Sequence, residues 1–123
     1  MKTPEQIVQA QLDAYNARDV ERLLAIYADD AQFFEHPSTL LFAGSEQLRA
    51  RFVERFAEPD LYARLLHRTV LGNRVIDHEA ITRNFVDGRG TLQVAMVYEV
   101  ADQRIARAWC ITGERALEEP HHS

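Results

Sequence analysis

The sequence predicts an α+β domain in which three N-terminal helices pack on a curved, mostly antiparallel sheet. Two observations carry that expectation. Apolar residues recur at helical spacing up to about residue 58 and then at strand spacing to the end, and turn residues punctuate the second half at regular intervals. Helices followed by a meander of strands place the helices on one side of the sheet.

Thr3-Pro4-Glu5-Gln6 opens the first helix, with threonine at the N-cap, proline at the first helical position and glutamine completing a capping box. Its apolar stripe runs through Ile7, Val8, Leu12 and Tyr15, and Gln11 lies within that stripe. Asp19 caps a second helix with Val20, Leu23, Leu24 and Tyr27 on its inner side. A short strand, Ala31 to Pro37, delivers His36 at its end. Ser38 to Gly44 reads as an apolar connection, after which Ser45 caps a third helix with Leu48, Phe52, Val53 and Phe56 inside and Glu58-Pro59 as its stop. Arg49, Arg51 and Arg55 alternate with those apolar positions. Four strands follow: Leu61 to Leu71, Val75 to Val86, Thr91 to Val100 and Arg104 to Gly113, with turns at Gly72-Asn73, Asp87-Gly88-Arg89-Gly90 and Ala101-Asp102-Gln103. The domain is expected to span residues 1–116, with 117–123 as a disordered tail whose histidines are set aside.

With 123 residues the chain suits one core. A net charge of −5, and thirteen arginines scattered along the chain rather than gathered, argue against nucleic acid as a partner. No apolar run approaches the roughly 20 residues of a membrane span. A single cysteine, Cys110, and a start without a signal-like apolar core point to a reduced, cytoplasmic protein.

The late strands are apolar on both faces. Leu92, Val94, Met96, Tyr98 and Val100 alternate with Gln93, Ala95, Val97 and Glu99; Ile105, Arg107, Trp109 and Ile111 alternate with Ala106, Ala108, Cys110 and Thr112. Helices cover one face, so the other needs a second cover, which a homodimer through the outer sheet face would supply. The small side chains of Ala106, Ala108, Cys110 and Thr112 would leave a cavity inside.

The run Asn16-Ala17-Arg18-Asp19, Tyr27-Ala28-Asp29-Asp30-Ala31, a short strand ending in an ionisable residue plus proline, and Ala43-Gly44-Ser45 at a third helix resembles the nuclear transport factor 2-like superfamily, in its SnoaL-like and ketosteroid-isomerase-like branch. The resemblance covers about Thr3 to Glu114 and implies a cone-shaped α+β barrel. It also implies a cofactor-independent isomerase, cyclase or dehydratase acting on a small, largely apolar carbonyl compound, or a non-catalytic ligand-binding or dimerisation module of the same fold. The isomerase pattern places Gln11 at the family's tyrosine, His36 at its aspartate base and Gln93 at its second oxyanion donor; none of the three is retained in type. Histidine moves protons near neutral pH and glutamine amides donate to a carbonyl oxygen. His36, Gln11 and Gln93 are therefore the expected catalytic set, with His78 as a further member paired with His67 and a carboxylate, Glu35 or Asp77, nearby. Tyr15, Phe34, Phe52, His67, Ala108 and Cys110 are the expected ligand wall.

Two alternatives stand beside these roles. Asp77 and Glu79, which face opposite to His78, are expected to pair with Arg68, Arg83 or Arg107 and fix register. His36, His67 and His78 show no metal-ligand spacing, and no metal is expected.

Overall fold

A computed structural model describes residues 1–118. Its elements are α1 (Pro4–Asn16), α2 (Val20–Ile26), β1 (Tyr27–Glu35), β2 (Thr39–Ala43), α3 (Ser45–Phe56), β3 (Tyr62–Leu71), β4 (Arg74–Phe85), β5 (Gly88–Ala101) and β6 (Arg104–Leu117). The six strands form one sheet in the order β2-β1-β6-β5-β4-β3, antiparallel throughout except where β6 lies parallel to β1. Three helices cover one face of this sheet, as the change from helical to strand periodicity predicts.

The caps explain where the helices begin. Thr3 accepts from the Gln6 backbone N–H while the Gln6 side chain accepts from the Thr3 N–H, the reciprocal pair expected of a capping box. Asp19 accepts from the Arg22 N–H at 3.1 Å. The third helix departs from expectation: Gly44, not Ser45, is its N-cap. Gly44 has φ +85°, a backbone conformation that glycine alone adopts cheaply, and the Ser45 hydroxyl turns away to donate to the Asp29 carbonyl.

Two further boundaries differ. Tyr27 begins β1 rather than ending α2, because its backbone pairs with Ile105 of β6. The apolar connection 39–43 is strand β2, paired with β1 through Phe33 and Phe42, whose rings stack at 4.7 Å. A run of apolar residues without alternation hides its period, which is why it reads as connection. At the other end β6 continues to Leu117, paired with Gly90, so residue 117 belongs to the sheet and not to the expected tail; residues 119–123 of that tail lie outside the described residues.

The core lies between the helices and the inner sheet face, with Val8, Leu23, Leu48, Val75 and Ile105 fully buried. Asn16 ties the end of α1 to the sheet, donating to the Ala63 carbonyl and accepting from its N–H. Arg18, with φ +57°, lays its guanidinium on the carbonyls of Pro59 and Leu61. These polar ties anchor the helical hairpin on β3, and so hold α1 across one end of the cavity described next. No helix among the described residues is long and apolar enough to cross a membrane.

Candidate functional site

Strand alternation decides what reaches the interior. On β4 the odd-numbered residues Val75, Asp77, Glu79 and Ile81 point inward and are all buried, while His78 between them is exposed. On β5 the inward set is Leu92, Val94, Met96 and Tyr98, and on β6 it includes Ala108, Cys110 and Thr112. Together with α1, α3 and the β1-β2 hairpin these enclose a cavity of about 270 Å³. Its walls are largely apolar, with Leu12, Phe33, Phe42, Phe52, Ile81 and Val94 among them.

Four polar groups meet at its inner end. Glu79 is 4% exposed and Gln11 5%. The Tyr98 hydroxyl donates to Gln11 Oε1 at 3.2 Å. The Tyr27 hydroxyl is buried beside the Gln11 amide without a hydrogen bond of acceptable geometry. Burial raises the titration of both tyrosines above the ordinary phenol range, so they stay protonated donors at physiological pH.

Glu79 owes its character to its neighbours on the same face. Asp77, two residues back and about 7 Å away along the strand, is fully buried and takes a bidentate ion pair from Arg68, Nε to Oδ1 at 2.6 Å and Nη2 to Oδ2 at 2.9 Å. Arg68 also donates to Gln9 at 2.8 Å, which pins its guanidinium against the middle of α1. Arg68 is thereby committed to Asp77, as the register-fixing alternative anticipates for that residue. Glu79 has no hydrogen-bond partner among the described residues. Burial first, and the adjacent Asp77 charge second, push its carboxyl up to about 8, with Arg68 opposing only in part. The result is a carboxyl poised to be neutral or charged near neutral pH, facing an apolar chamber.

The outer end of the chamber is differently built. Arg51 and Arg55 of α3 and Arg83 of β4 line it together with Glu35, Cys110 and Thr112. Thr112 donates to Glu35 at 3.0 Å. Arg83 grips Glu58 with Nε and Nη2 at 2.8–3.1 Å, and Arg55 approaches the same carboxylate at 3.4 Å. Burial would raise Glu58, but the Arg83 hydrogen bonds, the Asn84 N–H and both arginine charges outweigh it and hold the carboxyl below its usual range. Burial also raises the Cys110 thiol, so it is not an activated nucleophile.

The model for the SnoaL-like domain matches residues 8–108. The chain belongs to this SnoaL-like family. Solved structures agree on the fold: an uncharacterized cystatin fold protein from Novosphingobium aromaticivorans superposes with TM-score 0.83 at 24% identity, over 90% of this chain and 99% of that one. An M. tuberculosis LEH-like epoxide hydrolase gives 0.77 at 17% identity (89% and 82%), and a protein with a ketosteroid isomerase-like fold from Catenulispora acidiphila, in complex with trimethylamine, gives 0.73 at 17% (89% and 85%). No curated protein matches the sequence. Within the SnoaL-like frame the family resemblance and the cone-shaped α+β architecture hold.

The residues expected to form the site divide sharply. Gln11, Tyr15, Phe52 and Cys110 line the cavity. His36 does not: it follows the last residue of β1, its side chain is exposed, and only its backbone N–H is engaged, donating to the Cys110 carbonyl at 2.9 Å. The inward residue at that strand end is Glu35, one position earlier. Gln93 falls on the outer sheet face with His67 and His78, because Leu92, Val94 and Met96 hold the inner one. His67 and His78 are cross-strand partners, and His78 Nε2 contacts Gln93 Oε1 at 3.1 Å, all exposed. Phe34 also faces outward, stacked on Trp109 at 5.6 Å, and Ala108, though on the inner face, is fully buried in the core and does not line the cavity. Among the described residues no cluster of three or more His, Cys, Asp or Glu could hold a metal.

Sequence reasoning passed over Glu79, Tyr27 and Tyr98 as functional groups. A signal for Glu79 was present: it shares its strand face with Val75 and Ile81, and two carboxylates on that face meet one arginine, Arg68, on the neighbouring strand.

Proposed function

We propose that the protein is an acid–base enzyme acting on a small, largely apolar carbonyl compound, with Glu79 as the proton carrier. The observation that supports this reading is a buried carboxyl, raised to about 8 and without a hydrogen-bond partner among the described residues, facing a largely apolar chamber. A carboxyl in that condition is a stronger base than an ordinary carboxylate and is available in both protonation states near neutral pH. A substrate carbonyl oxygen beside the Tyr27 hydroxyl would satisfy a donor that the protein leaves unmatched, and Gln11 and Tyr98 support that end from α1 and β5. Glu79, when ionised, removes a proton next to the polarised carbonyl and returns it elsewhere on the carbon skeleton; when neutral, it donates first. Isomerisation, cyclisation and dehydration all begin with such a transfer. His36, exposed at the end of β1, has no part in this scheme.

Deuterium exchange at carbons adjacent to the carbonyl, followed over a panel of ketones and polyketide fragments, tests it. The Glu79→Gln variant keeps the shape and hydrogen-bonding capacity of the side chain and is expected to lose about 10²–10⁴-fold in rate, while His36→Ala keeps the wild-type rate. Equal rates for wild type and Glu79→Gln would leave the cavity as a binding site only.

We further propose that a second copy of the chain covers the outer sheet face. Phe34, Trp109, Val97, Ile76 and Ile111 form a partly exposed apolar row there, flanked by the exposed Arg74 and Arg107 with Glu99 between them, a pattern suited to a two-fold contact. Sedimentation at micromolar concentration as a monomer would remove the dimer.

A further inference from the structure

Next to the cavity lies a second, smaller space of about 100 Å³, bounded by Arg51, Glu54, Arg55, Glu58 and Arg83. Arg51, Arg55 and Arg83 border both spaces, so a polar vestibule adjoins the apolar chamber across these three side chains. The smaller space itself is bounded by three arginines and two glutamates, and the third carboxylate at the outer end, Glu35, lies on the chamber side, where it accepts from Thr112. Glu58 is shared by Arg83 and Arg55. Arg51 pairs with no carboxylate among the described residues; its guanidinium lies 5.2 Å from the centre of the Phe42 ring, itself a wall of the chamber. Arg51 and Arg55 are four residues apart on α3, so both project over the same opening.

The inner end has the opposite character. Its cation, Arg68, is consumed by Asp77, and Glu79 stands beside that ion pair with no cation of its own. An anion placed there would meet two carboxyl groups and no free donor of positive charge. A molecule with one charged end would therefore enter with that end outward.

We propose that the vestibule binds a single negative charge on the substrate, so that the molecule taken up is an amphipathic monoanion, most simply a carboxylate whose apolar body fills the chamber. Glu79 and Arg83 are four residues apart on β4, about 13 Å along the strand. The inference rests on the proposed function only in using the chamber as the substrate site; the anion preference itself needs no catalysis.

Calorimetric titration with octanoate and with octanamide, its uncharged counterpart of equal length, tests the preference at pH 7 and low salt. Wild type is expected to bind octanoate roughly tenfold or more tightly than octanamide, since a carboxylate gains charge-assisted hydrogen bonds from guanidinium. Raising the salt should shrink the difference, because the vestibule is open to solvent. Arg51 is exposed, and Arg51→Gln should lose most of the preference of octanoate over octanamide, which Arg51→Lys should partly restore. Equal binding of the two ligands by wild type, no binding of octanoate, or a preference unchanged in Arg51→Gln would overturn the inference. Glu79→Gln should retain the preference. Octanoate selectivity in a protein that exchanges no substrate protons would keep this inference and overturn the catalytic reading; proton exchange dependent on Glu79 without octanoate selectivity would do the reverse.

Discussion

The two faces of β4 carry the same kinds of residue to opposite ends. On the outer face His78 meets His67 across the strand pair and Gln93 on β5, a cluster of ionisable and polar groups that looks catalytic on paper and stands in solvent. On the inner face, one residue along, Asp77 and Glu79 are buried below 5% exposure. A histidine attracts attention because its ordinary titration lies near neutral. A glutamate reaches the same range only through burial and a neighbouring charge, as Glu79 does. The comparison teaches that on this sheet the pleat, more than the residue type, separates a chemical group from a surface one.

The strongest way to break the comparison is to disturb the inner pair. Arg68→Ala leaves Asp77 buried without its cation and is expected to destabilise the fold by about 3–5 kcal/mol, read from urea unfolding. It also removes the charge that opposes protonation of Glu79, so the Glu79 midpoint should rise further. A loss under about 1 kcal/mol, the range of exposed ion pairs, would mean that the inner face is as tolerant as the outer one.

Next in size is the pH dependence that Glu79 imposes. Its folded pKa, about 8, lies above the ordinary carboxyl value of 4.5, so the native state holds a proton that the unfolded chain releases. The resulting stabilisation is fully present below about 4.5, declines as pH rises and is gone once pH passes about 8. The slope in that window approaches about 1.4 kcal/mol per pH unit from this group alone. Subtracting the unfolding curves of Glu79→Gln from those of wild type isolates it. A difference that is flat from pH 5 to 8 would show that Glu79 ionises freely in place.

The contrast between faces also shows what a sequence makes legible. The capping box at Thr3, the Asp19 cap and the strand alternation of β4 to β6 act through local chemistry, and the helices and strands followed from them. Gln11, Tyr15, Phe52 and Cys110 could be placed inside because helical and strand periods fix their faces. His36 and Gln93 were placed by matching positions in a family pattern, and a shift of one residue at a strand end or on a pleat reverses the direction of a side chain. Strand β1 ends at Glu35, so the inward position passed to the neighbour of His36. The state of Glu79 depends on Arg68 choosing Asp77, a pairing between strands that spacing alone offers equally to Glu79, Arg83 and Arg107. Tyr27 was read as the last apolar residue of a helix because its backbone partner, Ile105, lies far along the chain.

A smaller effect separates structure from function within the inner face itself. Tyr27→Phe removes a buried hydroxyl that has no hydrogen bond to lose, so stability should stay level or rise by up to about 1 kcal/mol. If that hydroxyl donates to the substrate oxygen, the exchange rate should fall by about 10²–10³-fold, as for removal of one donor at a developing oxyanion. Thermal unfolding and deuterium exchange on the same preparation give both readings. A destabilised but fully active variant would make Tyr27 part of the wall only.

The outer face should yield the smallest change. His78→Ala deletes an exposed imidazole whose one side-chain hydrogen bond among the described residues is with Gln93, and surface substitutions of this kind stay within about 0.5 kcal/mol. Its exchange rate should equal wild type across the pH range, since the sheet itself separates His78 from the chamber. The informative case is a rate that drops while stability holds. The effect would then reach the chamber through the sheet, from the imidazole itself or by way of a second copy packed on that face. Repeating the measurement with Trp109→Ala, which thins the same face without touching a titratable group, separates the two sources. A matching drop would assign the effect to the dimer contact, and a drop unique to His78→Ala would assign it to the imidazole and erase the distinction between the faces.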